Sequence, residues 1–223
     1  MNTNSLERWE SYWSAQKEPH HSSASIGFYD RHALELKAMF GRQKPTSVLE
    51  IGCGTGALYE RLGFNDTRYK GVDFSESMLS VFAKDHPDVN LECADGSDYC
   101  DSCKYNLIFS NGVIQYFDKA MLQRHFVQVR KMMTLDSVFV CASVPWKLQR
   151  RRFLTGELFP PYRRNILRLG KAFVRGLLRR PDQLGHWYGF TDMQELAEGN
   201  GMAAEVFPSL CYVYRFHAAM TLR

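Results

Sequence analysis

Val48-Leu49-Glu50-Ile51-Gly52-Cys53-Gly54-Thr55-Gly56 is a short apolar and β-branched run that delivers one acid and then three glycines at every second position. Glycine has no Cβ and enters backbone conformations closed to other residues, so a chain this rich in it can lie directly against a bound molecule. The stretch therefore predicts a strand that turns into a helix over a ligand. The pattern alone is ambiguous, because Gly52-Cys53-Gly54-Thr55-Gly56-Ala57 also fits the dinucleotide-binding fingerprint. Electrostatics separates the two readings. A pyrophosphate wants bare N–H groups at a helix N-terminus, and Glu50 would set a carboxylate close to it. A cationic ligand carrying an ammonium or sulfonium group suits that acid better.

Two further strand ends follow. Tyr69-Lys70-Gly71-Val72-Asp73 ends in an acid 17 residues beyond Gly56, placed to accept hydrogen bonds from both hydroxyls of a ribose. Ser75 then caps a helix that stops at Pro87. Leu91-Glu92-Cys93-Ala94-Asp95-Gly96 is a third strand ending in an acid. Taken together, these segments resemble the motifs of the class I S-adenosylmethionine-dependent methyltransferases. The resemblance implies that Glu50, Gly52, Gly54 and Gly56 surround the methionine end of S-adenosylmethionine and that Asp73 holds its ribose. Phe74 or Met78 would pack on the adenine, and Asp95 and Gly96 would meet its amino group. Ser110-Asn111-Gly112-Val113-Ile114-Gln115-Tyr116-Phe117 looks like the fourth motif, with Ser110 and Gln115 lining the methionine portion and the transfer site. The implied fold is a doubly wound α/β, Rossmann-like sheet of seven strands in the order 3-2-1-4-5-7-6, strand 7 antiparallel, with N-terminal helices and a helical lid insertion.

Composition agrees with one globular domain spanning residues 1–223: 45% of residues are hydrophobic and 23% charged. The first residues lack the apolar centre of a signal peptide, and no run approaches the ~18 apolar residues of a membrane span, so a cytoplasmic protein is expected. Six cysteines without an export signal predict free thiols. Cys100-Asp-Ser-Cys103 has the spacing of half a zinc site, but no second CxxC or HxxxH accompanies it. No metal is expected, and the pair is placed in the loop before the fourth strand.

Four segments divide the chain. Residues 1–44 form an N-terminal helical cap, with Trp9, Tyr12 and Trp13 on one helix face and a second helix from about Tyr29 to Phe40. Residues 45–145 are the cofactor-binding core, in which Tyr105–Phe109 is a strand covered on both faces, 119–133 an amphipathic helix and Ser137–Val144 the fifth strand. Residues 146–185 are a basic insertion: Lys147–Arg180 holds 11 basic residues and one acid, +10, against −6 for the remainder. Within it 165–180 has the pattern of a basic amphipathic helix, suited either to packing on its own domain or to an anionic membrane surface. Residues 186–223 complete the sheet, with Thr191 and Gln194 as a capping box and strands at about 203–208 and 211–222.

The Trp-rich start, the Arg-rich insertion, Gly185-His186-Trp187-Tyr188-Gly189-Phe190 and Tyr212-Val213-Tyr214-Arg215-Phe216 loosely resemble methyltransferases of bacterial surface-polysaccharide and lipid-linked glycan synthesis. That resemblance implies O-methylation of a sugar or other small-molecule hydroxyl. The alternatives are a metabolite or natural-product O- or N-methyltransferase and a catalytically silent cofactor-binding regulator. The apolar face of the insertion and the absence of an Asn/Asp-Pro-Pro-aromatic motif after strand 4 argue against nucleic acid as the sole partner. A hydroxyl acceptor needs a base, and the candidates are His186 and Tyr116, with His32 and Asp30 behind them.

Overall fold

The computed structural model describes residues 23–40, 44–64, 67–159 and 184–223, together with Leu167, Gly170 and Val174. The expected Trp9-Tyr12-Trp13 helix lies outside the described residues. So does most of 165–180, of which Leu167 and Val174 are exposed.

Seven strands make one sheet in the order β3-β2-β1-β4-β5-β7-β6. They are β1 (Ser47–Ile51), β2 (Arg68–Asp73), β3 (Asn90–Cys93), β4 (Tyr105–Asn111), β5 (Met133–Pro145), β6 (Met202–Pro208) and β7 (Arg215–Leu222). The first five are parallel, and β7 runs antiparallel to both β5 and β6. This is the topology implied by the resemblance. Every residue of β1 is buried, while β3 at the sheet edge is largely exposed, as expected for strands covered on two faces and on few.

The helices are α1 (Ser23–Lys37), α2 (Tyr59–Leu62), α3 (Glu76–Asp85), α4 (Lys119–Met132), α5 (Arg150–Thr155) and α6 (Phe190–Gly199). Two of the starts have a side-chain cap. Ser75 Oγ accepts from Met78 N at the head of α3, and Asp118 Oδ1 accepts from Met121 N at 2.9 Å at the head of α4, each satisfying an N–H that the helix leaves without a partner. On α4, Leu122, Phe126, Val129 and Met132 are fully buried against Phe139 and its neighbours on one face of the sheet. Burying such side chains contributes about 1.5–3 kcal/mol each. The opposite face is covered by Leu36, Phe40, Phe64 and Phe82, packed on Phe109 and Val140.

Several boundaries move from their expected places. The expected Thr191/Gln194 box does not form; α6 starts earlier, with Asp192 Oδ2 accepting from Gly189 N at 2.6 Å. β7 begins at Arg215 rather than near 211, because Ser209 Oγ accepts from the N–H groups of Cys211 and Tyr212 and turns the chain there. Likewise, β5 extends back to Met133, and the helix expected from Tyr29 begins at Ser23. All six cysteines are free thiols. Among the described residues no helix is long and apolar enough to cross a membrane.

Candidate active site

The strand order reverses between β1 and β4, so the connections after these two neighbours leave in opposite directions and open a crevice at their C-terminal ends. A cavity of about 320 Å³ fills it. One wall is the turn after β1. Gly52 has φ +81° and stands so close to Val113 that a Cβ would meet its side chain at 2.1 Å, and Gly54 has φ +55°. Both conformations favour glycine, and both residues line the cavity.

Glu50 closes the floor of that wall. It is 2% exposed, and Tyr69 donates its hydroxyl proton to Oε2 at 2.6 Å. Burial pushes its pKa up to about 8, against the pull of the Tyr69 hydrogen bond. Asp73, at the end of β2, accepts from Gly54 N at 2.9 Å and Ser75 N at 3.0 Å. Burial raises its pKa too, offset by these backbone donors. The two strand ends are thereby locked together, with carboxylate lone pairs left over for a ligand. Phe74 and Met78 stand beside Asp73, and Asp95 and Gly96 follow β3 on the same rim. Gln115 and Tyr116 close the other side, and the buried Gln115 Oε1 has no hydrogen-bond partner. A glycine cradle, three acids and an orphaned buried acceptor fit a molecule with a ribose and an ammonium group.

Nine of the eleven residues expected at the cofactor line this cavity, and two need correction. Gly56, at φ +78°, lies outside the lining: a Cβ there would strike the Phe82 ring at 2.5 Å, so its smallness lets the turn pack on α3. Ser110 also lies outside it, fully buried within β4, and the next residues, Asn111, Gly112 and Val113, reach the cavity instead.

The comparisons with known proteins bear on the same elements. Residues 48–135 match the family model described as "Methyltransferase domain". The fold is that of the class I methyltransferases. A solved structure of magnesium protoporphyrin IX methyltransferase from Synechocystis PCC 6803, with S-adenosylhomocysteine bound, aligns over 100% of this chain and 95% of its own at a TM-score of 0.65 and 14% identity. The glycopeptide N-methyltransferase MtfA aligns over 87% of this chain and 90% of its own at 0.62, also with 14% identity. Among sequence relatives, malonyl-(acyl-carrier protein) O-methyltransferase 1 of Ilyobacter polytropus is 31% identical over 106 residues, 42% of this chain and 40% of that protein. The chain spans less than half the length of the curated relatives it matches. MtfA has also been solved with S-adenosylmethionine bound.

The second wall of the cavity comes from far apart in the sequence: Tyr29, Asn111, Ser143, Tyr212 and Arg215. Ser143 sits at φ +56°, an uncommon conformation for serine, at a register shift between Cys141 and Val144 in the β5–β7 pairing. Its carbonyl accepts from Arg215 Nη1, and its N–H donates to His217 Nδ1 at 3.2 Å. His32, 1% exposed, places Nε2 3.0 Å from Asn111 Oδ1 and 3.3 Å from Ser143 Oγ, and Nδ1 3.2 Å from Glu35 Oε2. Burial lowers the His32 pKa, so the ring is held neutral. Burial alone would raise the Glu35 pKa, but His217 and the Leu210 N–H bring it to about 2.

The expected bases divide accordingly. Tyr116 lines the cavity. The His186 side chain is exposed and stands outside the lining; the residue ties its loop down by donating its backbone N–H to the Gln115 carbonyl at 2.8 Å. Asp30 is exposed and paired with Arg61 Nε at 3.1 Å. His32 is buried behind the second wall and reaches it through Asn111 and Ser143. The expectation of no metal ligands meets one cluster, His32, Glu35 and Cys211, whose donor atoms lie within 4.8 Å of one another. There the thiol is held protonated, its pKa pushed up to about 11 by burial.

Sequence reasoning placed Asn111 only within the fourth-motif stretch and missed Tyr29, Ser143, Tyr212 and Arg215 as site residues. The available signal was Tyr212-Val213-Tyr214-Arg215-Phe216, in which a single cation interrupts an aromatic run at the start of a strand.

Proposed function

We propose that this chain is an S-adenosylmethionine-dependent methyltransferase acting on an oxygen of a small acceptor, which includes a sugar or lipid-linked glycan. What supports the reading is one cavity with two chemically different walls. The glycine turn with Glu50, Asp73, Asp95 and Gln115 suits the cofactor, and Tyr29, Asn111, Ser143, Tyr212 and Arg215 offer polar groups to a second molecule beside it. When bound, the cofactor supplies a methyl group on a positively charged sulfur. The protein's own part is then to hold an acceptor atom in line with that methyl and keep water away. The relatives and neighbours include both O- and N-methyltransferases, on a carrier-bound malonyl group and a glycopeptide, so the acceptor is read from the second wall.

The test is calorimetric. S-adenosylmethionine and S-adenosylhomocysteine should bind at micromolar concentration and nicotinamide dinucleotides should not. Asp73→Ala should weaken the former by ~1.5–3 kcal/mol through loss of charge-assisted hydrogen bonds. Tight dinucleotide binding, or unchanged cofactor affinity in the variant, overturns the proposal. A silent regulator would bind cofactor normally yet transfer no label from it to any component of a cell extract.

A further inference from the structure

Arg215 is the cation that the second wall leaves without an acid. It stands at the first position of β7, lines the cavity and is 9% exposed. Its Nη1 is used on the Ser143 carbonyl, its guanidinium carbon lies 5.3 Å from the Tyr212 ring centroid and 5.4 Å from that of Tyr214, and its Nε is buried with no hydrogen-bond partner. Glu35 is the acid beside this wall, and its oxygens go to Ser209, Leu210, His32 and His217. Among the described residues no carboxylate pairs with Arg215. Burying a guanidinium away from water without a counter-charge is costly, and a protein that keeps one facing a cavity gains from an anion that enters it.

We propose that the acceptor is a carboxylic acid and that Arg215 is the residue that binds its carboxylate. The inference rests on the methyltransferase reading and names its substrate class. Three features favour a carboxylate. The guanidinium is a planar fork matched to two carboxylate oxygens. It is held against two neighbouring tyrosine rings and by one backbone carbonyl, so its position is set before the ligand arrives. A carboxylate is also ionised at neutral pH, so its oxygen attacks without a base to deprotonate it, which agrees with an exposed His186 outside the lining. In the step itself, a carboxylate oxygen forms a bond to the methyl carbon, the carbon–sulfur bond breaks, and its electron pair stays on sulfur as a neutral thioether. The product is a methyl ester, and no proton is released.

Two measurements on the full chain test this. With the protein saturated with S-adenosylhomocysteine, malonate, succinate and citrate are titrated by calorimetry beside inorganic phosphate and glucose. At least one carboxylate should bind, with affinity falling about tenfold or more in Arg215→Gln and less in Arg215→Lys, while S-adenosylhomocysteine binds both variants as it binds the wild type. In parallel, label transferred from methyl-labelled cofactor to acids of a cell extract should become volatile methanol in mild alkali, as an ester does and an ether or amine does not. Alkali-stable label overturns the proposal. So do binding of phosphate or glucose in place of any carboxylate, absence of carboxylate binding, and equal carboxylate affinity in Arg215→Gln. Failure of S-adenosylhomocysteine to bind the wild type is a different outcome, since it removes the methyltransferase reading itself.

Discussion

Binding a cationic cofactor should drive a proton off Glu50. In the free protein burial holds this carboxyl at about 8, so at pH 7 only about a tenth of the molecules carry it ionised. An ammonium or sulfonium nearby favours the charged form and brings the group back toward or below its ordinary range. Binding at pH 7 should then release about 0.9 proton per site, and at pH 9, where the free group is already ionised, about 0.1. Calorimetry with S-adenosylhomocysteine in phosphate and in Tris, whose ionisation enthalpies differ widely, reads the number directly from the change in apparent enthalpy. Glu50→Gln is the control that subtracts protons exchanged by the ligand's own amino group, and it should show no Glu50 release at either pH. The same shift acts on stability. A folded pKa above the unfolded one means that the native state keeps its proton longer, so the free protein loses stability as pH rises from about 4.5 to 8, and Glu50→Gln should flatten that part of the curve. An enthalpy independent of buffer at pH 7, or one equally buffer-dependent in Glu50→Gln, refutes the reasoning.

Three further outcomes are expected. His186→Ala should leave turnover within about twofold, because the side chain is exposed and off the cavity; a loss of ~10²-fold in kcat would restore it as the base. Gly56→Ala should destabilise the fold by about 2–4 kcal/mol in denaturant melts, since it forces a Cβ both into the left-handed region and onto the Phe82 ring, and a change below about 0.5 kcal/mol would contradict the packing. The +10 charge of 147–180 predicts retention on anionic but not neutral vesicles at low salt, with release as ionic strength rises; equal partitioning to both would remove a role for that charge.

What could be read without coordinates was local. The turn after β1, the acid ending β2 and the acid ending β3 each announce themselves within about ten residues, because a glycine at positive φ or a carboxylate after an apolar run is a property of one short segment. Gly56 was assigned to the ligand because spacing cannot distinguish a glycine that admits a cofactor from one that admits Phe82. The second wall is different in kind. Arg215 meets Ser143 across 72 positions, and His32 meets Asn111 across 79. Those encounters depend on an antiparallel pairing with a register shift at Cys141/Val144 and on where α1 crosses the sheet, and no short window of sequence encodes either.

The two walls also differ in where they come from along the chain. Glu50, the glycines, Asp73 and Asp95 fall inside the segment 48–135 that matches the methyltransferase domain, whereas of the second wall only Asn111 does and Tyr29, Ser143, Tyr212 and Arg215 fall outside it. On the proposed reading, the donor and acceptor sides of the cavity are thus largely separate along the chain. Drift or deliberate exchange at the chain's outer segments can retarget it to a new acceptor while the donor half stays untouched. A library confined to positions 29, 143, 212 and 215 explores substrate choice on a constant cofactor platform.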